Sequence, residues 1–208
     1  MTAVNVILRP TAAFVVTDGE RRYGGQVVHS APKVLPLPHL NAALAVRGDW
    51  LMLTTMYGII TGRRTSFEDA AANLGQDLAD AAAGVSKALP LLSGHDVVLT
   101  GWPETRPGPE CWLVTDHERY GLAPFKAASL DGLLMPDDGT LKGKLAAMRL
   151  FDRREPFEAL VDGNRIIAAQ QALPGSGVGG FCQVTVVTPE GIYTRITAEL
   201  GDSEPAQA

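Results

Sequence analysis

Two short runs open the chain in which apolar and β-branched residues dominate, TAVNVIL at residues 2–8 and TAAFVVT at 11–17. Arg9 and Pro10 interrupt them, so the pattern predicts two strands joined as a hairpin. GQVVHSAPKVLPL (25–37) and AALAVRG (42–48) predict further short extended segments, which makes the start of the chain a small antiparallel sheet. The period then changes. In SFEDAAANLGQDLADAAAGVSKAL (66–89), Phe67, Ala71, Leu74, Leu78 and Val85 recur on one helical face, Ser66 stands at the N-cap, and Asp69 follows three residues on. The many alanines suit close helix packing.

DVVLTGW (96–102) and ECWLVTD (110–116) read as strands joined by the turn-rich PETRPGP, and a second sheet is expected to begin there. Two helices are predicted next, LKGKLAAMRLF (141–151) and EPFEALVDGNRIIAAQQAL (155–173), the latter with Pro156 at a helix-start position. GFCQVTVVTPEGIYTRIT (180–197) alternates and turns at Pro189 to Gly191, which predicts a closing hairpin. GDSEPAQA (201–208) is expected to be disordered. Strands, a long helix, strands, two helices and a hairpin imply an α+β fold, with two antiparallel sheets stacked face to face and helices on both outer faces.

Length and composition narrow the possibilities. At 208 residues the chain supports one sizeable core, and a single domain over 1–200 is expected. The net charge of −5 and the absence of a basic stripe argue against nucleic acid as a partner. Cys111 and Cys182 lie in apolar strand-like runs, which favours buried free thiols and a reducing compartment. The first residues show no basic region followed by an apolar segment, and no apolar run approaches a membrane span, so a cytoplasmic protein without membrane contact is expected. His29, His39, His95 and His117 show no ligand spacing, so neither a metal nor a cofactor is expected. GSGVGG (175–180) formally fits the dinucleotide-binding glycine pattern, but it follows a helix and precedes a strand, the reverse of a phosphate cradle. Trp102 and Trp112 read as core or interface aromatics.

The candidate chemistry sits at the start. Thr2 follows Met1, and removal of Met1 would leave a hydroxyl nucleophile and its own base, the α-amine, on one residue. Such a site needs a cation to depress the amine pKa, a carboxylate to hold that cation, and a backbone N–H for the oxyanion. Lys33, Asp18 and Gly48 are the candidates. Each also has an ordinary reading: Thr2 as a strand residue, Asp18-Gly19 as a turn, Lys33 as an edge-strand charge, Gly48 as a strand end.

In that order, TAVNVIL, VVTDG, PKVLPL and LAVRGD resemble the proteasome β-subunit family of N-terminal nucleophile (Ntn) hydrolases. GGFCQVTVVTPEGI resembles that family's closing pattern, and the outline is closest to short phage- and prophage-encoded or bacterial proteasome-like proteins. The resemblance implies a four-layer αββα sandwich, Thr2, Asp18, Lys33 and Gly48 as catalytic residues, a peptide or protein substrate, and a homo-oligomer of rings. The chain departs from the family in two places. Gly175 and Val178 stand where an Asp and a Ser usually support the amine, and no mid-chain Gly-Ser-Gly is present, with Ser129 and Ser176 as weak substitutes. Two functions therefore stay open: a threonine peptidase or amidohydrolase, and an inactive Ntn-fold structural or assembly protein of phage or prophage origin.

Overall fold

The computed structural model describes residues 2–23, 26–88, 94–137 and 139–201. β1 (Val4–Arg9) and β2 (Ala12–Asp18) form the opening hairpin, with Val4 opposite Thr17 and Arg9 opposite Ala12. β3 (Glu20–Tyr23) and β4 (Gln26–Ser30) pair separately. β5 (Val34–Leu37) and β6 (Ala42–Arg47) pair next to β7 (Asp96–Gly101), β8 (Glu110–Thr115) and β9 (Ala128–Leu130), giving a sheet ordered β5-β6-β7-β8-β9. The other five-stranded sheet is ordered β10-β1-β2-β11-β12, with β10 (Gly132–Met135), β11 (Gly180–Thr188) and β12 (Gly191–Gly201). Among the described residues every ladder is antiparallel, so the α+β class and the closing hairpin are as predicted.

One expectation is corrected. The early strands do not make a sheet of their own: β1 and β2 join the C-terminal hairpin, whereas β5 and β6 join the mid-chain strands. The physical reason lies in burial. β1 is buried at every position, with Val4, Val6 and Leu8 on one face and Ile7 on the other, so both faces need cover that neighbouring segments alone do not supply.

Val4, Val6, Leu8, Ala13 and Val15 of one sheet share a core with Val34, Ala43, Ala45, Val98 and Leu113 of the other. Behind the second sheet lie α1 (Trp50–Arg63) and α2 (Phe67–Ala88). Ser66 caps α2 by accepting the Asp69 N–H at 3.0 Å, and Phe67, Ala71, Leu74, Leu78 and Val85 are all buried, as the periodicity predicts. Full burial of a side chain such as Phe67 or Leu74 contributes about 2 kcal/mol. α1 escapes the pattern because Thr54, Thr55, Gly58, Ile59, Ile60, Thr61 and Gly62 are poor helix formers; its packing against β6 and α2 overrides them.

Against the first sheet lie α3 (Leu141–Lys144) and α4 (Ala159–Gln171). The predicted helix at 141–151 is one α turn and one 3-10 turn, ended where Arg149 takes a left-handed conformation with φ 44°. α4 starts three residues after Pro156 and is tied to β1 by a closed amide pair: Asn5 donates to Gln170 at 2.9 Å and Gln170 donates back at 2.8 Å. Both cysteines are free and buried. β12 runs to Gly201, and the rest of the predicted tail, 202–208, lies outside the described residues.

Candidate active site

The β1–β2 register sets the site. With Val4 opposite Thr17, Asp18 ends its strand beside Ala3, whose N–H it accepts on Oδ1 at 2.8 Å. The same oxygen accepts from Lys33 Nζ at 2.8 Å, and Oδ2 accepts the N–H groups of Glu20 and Gly179, each at 3.3 Å. All four partners donate, which is the environment of a carboxylate rather than a carboxylic acid. Asp18 is fully buried and Lys33 is 5% exposed. Burial pulls the Lys33 ammonium below its ordinary range while Asp18 opposes it, and burial pushes Asp18 up against the cation and its N–H donors. Gln183 of β11 fixes the entry to β5, accepting from Lys33 N at 3.2 Å.

Gly48 directly follows β6 with φ +137°, and a Cβ there would lie 2.5 Å from Cδ2 of His95. His95 is itself locked: its backbone N–H and Nδ1 meet the two carboxylate oxygens of Asp116, each at 2.7 Å. Burial alone would raise the Asp116 pKa, but these hydrogen bonds together with the charges of His95 and His117 hold it below the usual carboxylate range. Asp49, which completes an Arg-Gly-Asp tripeptide, has a structural task as the N-cap of α1, accepting Leu51 N–H at 2.7 Å.

Thr2, Lys33 and Gly48 line one cleft of about 250 Å³, and Asp18 stands behind its wall, joined to Lys33. Glu20 and Arg21 line the same cleft, as does Arg47, which bonds to the Thr2 carbonyl. None of these three was a candidate from the sequence. Arg47 meets Asp96 because β6 and β7 pair in that register, a relation 49 residues apart that local patterning does not reveal. His95 and His117 lack ligand spacing yet each holds a carboxylate, His117 Nε2 lying 2.8 Å from Asp96.

The other candidates fall elsewhere. Ser129 is exposed on β9, opposite Trp112. Ser176 Oγ donates to the Gln171 carbonyl at 3.3 Å and accepts the Val178 N–H at 3.4 Å. Val178 is fully buried, and the 175–180 loop reaches the site through backbone: Gly179 N–H on Asp18, and Gly179 carbonyl accepting from Gly19 and Glu20.

Among solved structures, the chain is similar to an Anbu protein (a Gly-1 mutant) from Hyphomicrobium sp. strain MC1, with a TM-score of 0.68 and 9% identity over 95% of this chain and 88% of that one. It is similar as well to Anbu, described as an ancestral β-subunit, from Yersinia bercovieri, with a TM-score of 0.67 and 11% identity over 92% of this chain and 86% of that one. The fold is proteasome-like. At such identities the likeness shows the fold alone. No family model and no curated protein matches the chain.

These findings correct the resemblance drawn from sequence. The outline placed the chain closest to short phage- and prophage-encoded or bacterial proteasome-like proteins, whereas the structures it matches are Anbu proteins from Hyphomicrobium and Yersinia bercovieri. Short motifs in the right order carried the first attribution, and such motifs do not separate branches of one fold. Among the described residues, no helix is long and apolar enough to cross a membrane.

Proposed function

We propose that the chain is an N-terminal threonine hydrolase that cleaves amide bonds in peptides, on a four-layer αββα Ntn scaffold formed by a single domain. The observation that carries this reading is the shared cleft: Thr2, Lys33 and Gly48 line it, and Asp18 bonds both Lys33 Nζ and the Ala3 N–H. The helices packed behind each sheet support the scaffold.

In this reading, removal of Met1 frees the Thr2 amine. The amine takes the hydroxyl proton, Oγ attacks the substrate carbonyl, and the Gly48 N–H stabilises the oxyanion. The amine leaving group departs with a proton, and water then hydrolyses the ester to regenerate Thr2. Lys33 disfavours protonation of the amine through its charge, and Asp18 holds Lys33 in place. A homo-oligomer that encloses its sites belongs to the same reading, and light scattering tests it.

One observation favours a second reading, an Ntn-fold assembly protein without turnover. Gly175 and Val178 give the amine neither a carboxylate nor a hydroxyl, and Ser176 has its hydroxyl engaged with Gln171 and Val178. Fluorogenic peptides assayed with the wild type and Thr2→Ala decide between them. Turnover that disappears in a folded Thr2→Ala supports the hydrolase, and equal rates in the two proteins refute it.

A further inference from the structure

The peptide unit that follows Thr2 is held at both of its polar atoms. Its N–H, on Ala3, donates to Asp18 at 2.8 Å; its C=O, on Thr2, accepts from Arg47 Nε at 2.8 Å. The two holders lie on different sheets, and each belongs to an ion pair largely withdrawn from solvent. Asp18 is paired to Lys33 at 2.8 Å, and Arg47 Nη1 is paired to Asp96 at 2.8 Å, with side-chain exposures of 12% and 3%. The second pair is braced in turn. Tyr120 OH bonds Arg47 at 2.9 Å and Asp96 at 3.1 Å, and His117 takes the other Asp96 oxygen.

We propose that Arg47, braced by Asp96 and Tyr120, is a positioning residue for Thr2: it clamps the Thr2 carbonyl so that the peptide plane, which carries the Thr2 Cα, cannot tilt about its Ala3 end. The reason is geometric. The Thr2 Cα lies in the plane of this peptide unit, so fixing both polar atoms fixes the place of that Cα and the axis about which the amine and side chain turn. A single hydrogen bond to Ala3 N–H would leave the carbonyl end free. The clamp supplies from the Arg47 side the restraint that residues 175 and 178 do not supply with side chains.

Arg47 also places a cation close to the Thr2 amine, since that amine is attached two bonds back from the carbonyl carbon it holds. The other charged groups facing the cleft are Glu20, Arg21, Lys33, Asp49, Asp96 and Arg119. The clamp is a property of the fold, and its consequence for turnover rests on the hydrolase reading above.

The test uses the full chain released from a fusion so that it begins at Thr2, as wild type, Arg47→Lys, Arg47→Met and Arg47→Met/Asp96→Asn. The double variant leaves no uncompensated carboxylate and carries the test where Arg47→Met alone fails to fold. Three quantities are read: kcat and KM on a peptide, the α-amine pKa from the pH dependence of its acetylation, and hydrogen exchange at the Ala3 amide. Arg47→Met is expected to lower kcat by about tenfold to a hundredfold with KM little changed, to raise the amine pKa, and to speed Ala3 exchange. Arg47→Lys is expected to recover the amine pKa and part of kcat. A folded Arg47→Met with wild-type amine pKa and wild-type Ala3 exchange overturns the clamp, whatever its turnover. A wild type that cleaves no peptide refutes the hydrolase reading instead, and leaves the amine pKa and the exchange rate to decide the clamp.

Discussion

Replacing Lys33 with Met removes one member of a buried ion pair and tests whether Asp18 and Lys33 act as a unit. Asp18 is fully buried and the pair is separated by 2.8 Å. Breaking such a pair costs about 3–5 kcal/mol, because the remaining charge stays desolvated. Here three backbone N–H donors from Ala3, Glu20 and Gly179 continue to solvate the carboxylate, which places Lys33→Met near the lower bound, about 3 kcal/mol. That is about two decades in the ratio of folded to unfolded chains.

Asp18→Asn should cost a similar amount, by leaving the ammonium without its counter-charge. The double variant Lys33→Met/Asp18→Asn removes both charges and should be less destabilised than either single variant. Urea unfolding of the four proteins at pH 7 measures this directly. A double variant that loses the sum of the two single losses would refute the pairing. Acid supplies an independent check. In Lys33→Met, burial raises the folded pKa of Asp18 with no cation to oppose it, so the folded state binds a proton more tightly than the unfolded chain. The deficit should therefore shrink as pH falls through that raised folded value toward about 4.

Other perturbations bear on separate parts of the account. Gly48→Ala places a Cβ 2.5 Å from His95 at φ +137° and should cost about 1–3 kcal/mol and most of any turnover, whereas Gly58→Ala, inside α1 with open space around it, should stabilise by up to about 1 kcal/mol; chemical denaturation compares the two. Burial raises the Cys111 thiol to about 12 from 9.0, so the folded chain keeps a proton that the unfolded chain releases, and stability should fall with rising pH across that interval; Cys111→Ala should flatten the decline by about 1.4 kcal/mol per pH unit. Arg9 is 6% exposed; its Nη1 donates to the Leu8 and Leu150 carbonyls, each at 2.9 Å, while Nε and Nη2 have no partner among the described residues. Arg9→Met should leave the urea midpoint unchanged or raise it, and a loss above about 2 kcal/mol would contradict that reasoning.

What the sequence made legible was local. The β1–β2 and β11–β12 hairpins, the α2 face and its Ser66 cap follow from period and turn chemistry within a few residues of each position. α1 was hidden because seven β-branched or glycine positions oppose helix formation, although Asp49, as its N-cap, left a signal ahead of the run. Sheet membership was hidden for a different reason. β2 pairs with β11 across more than 160 residues, a contact driven by burying both faces of β1 and β2 rather than by any local motif.

The candidate site divides in the same way. Thr2, Asp18, Lys33 and Gly48 were readable because their order along the first strands resembles a known arrangement, and the structure places three of them on one cleft with Asp18 behind it. Arg47 and Asp96 were not readable, because their pairing exists only once β6 and β7 are in register. Asp116 and His95 likewise meet through the loops flanking β7 and β8, where no spacing rule applies.

The most direct measurement of the central claim is the intact mass of the purified protein after incubation with a peptide epoxyketone, which reacts with an N-terminal threonine through both its hydroxyl and its amine. The hydrolase reading predicts a chain that has lost Met1 and carries a single adduct, absent in Thr2→Ala. A chain that retains Met1 and takes up no reagent contradicts it.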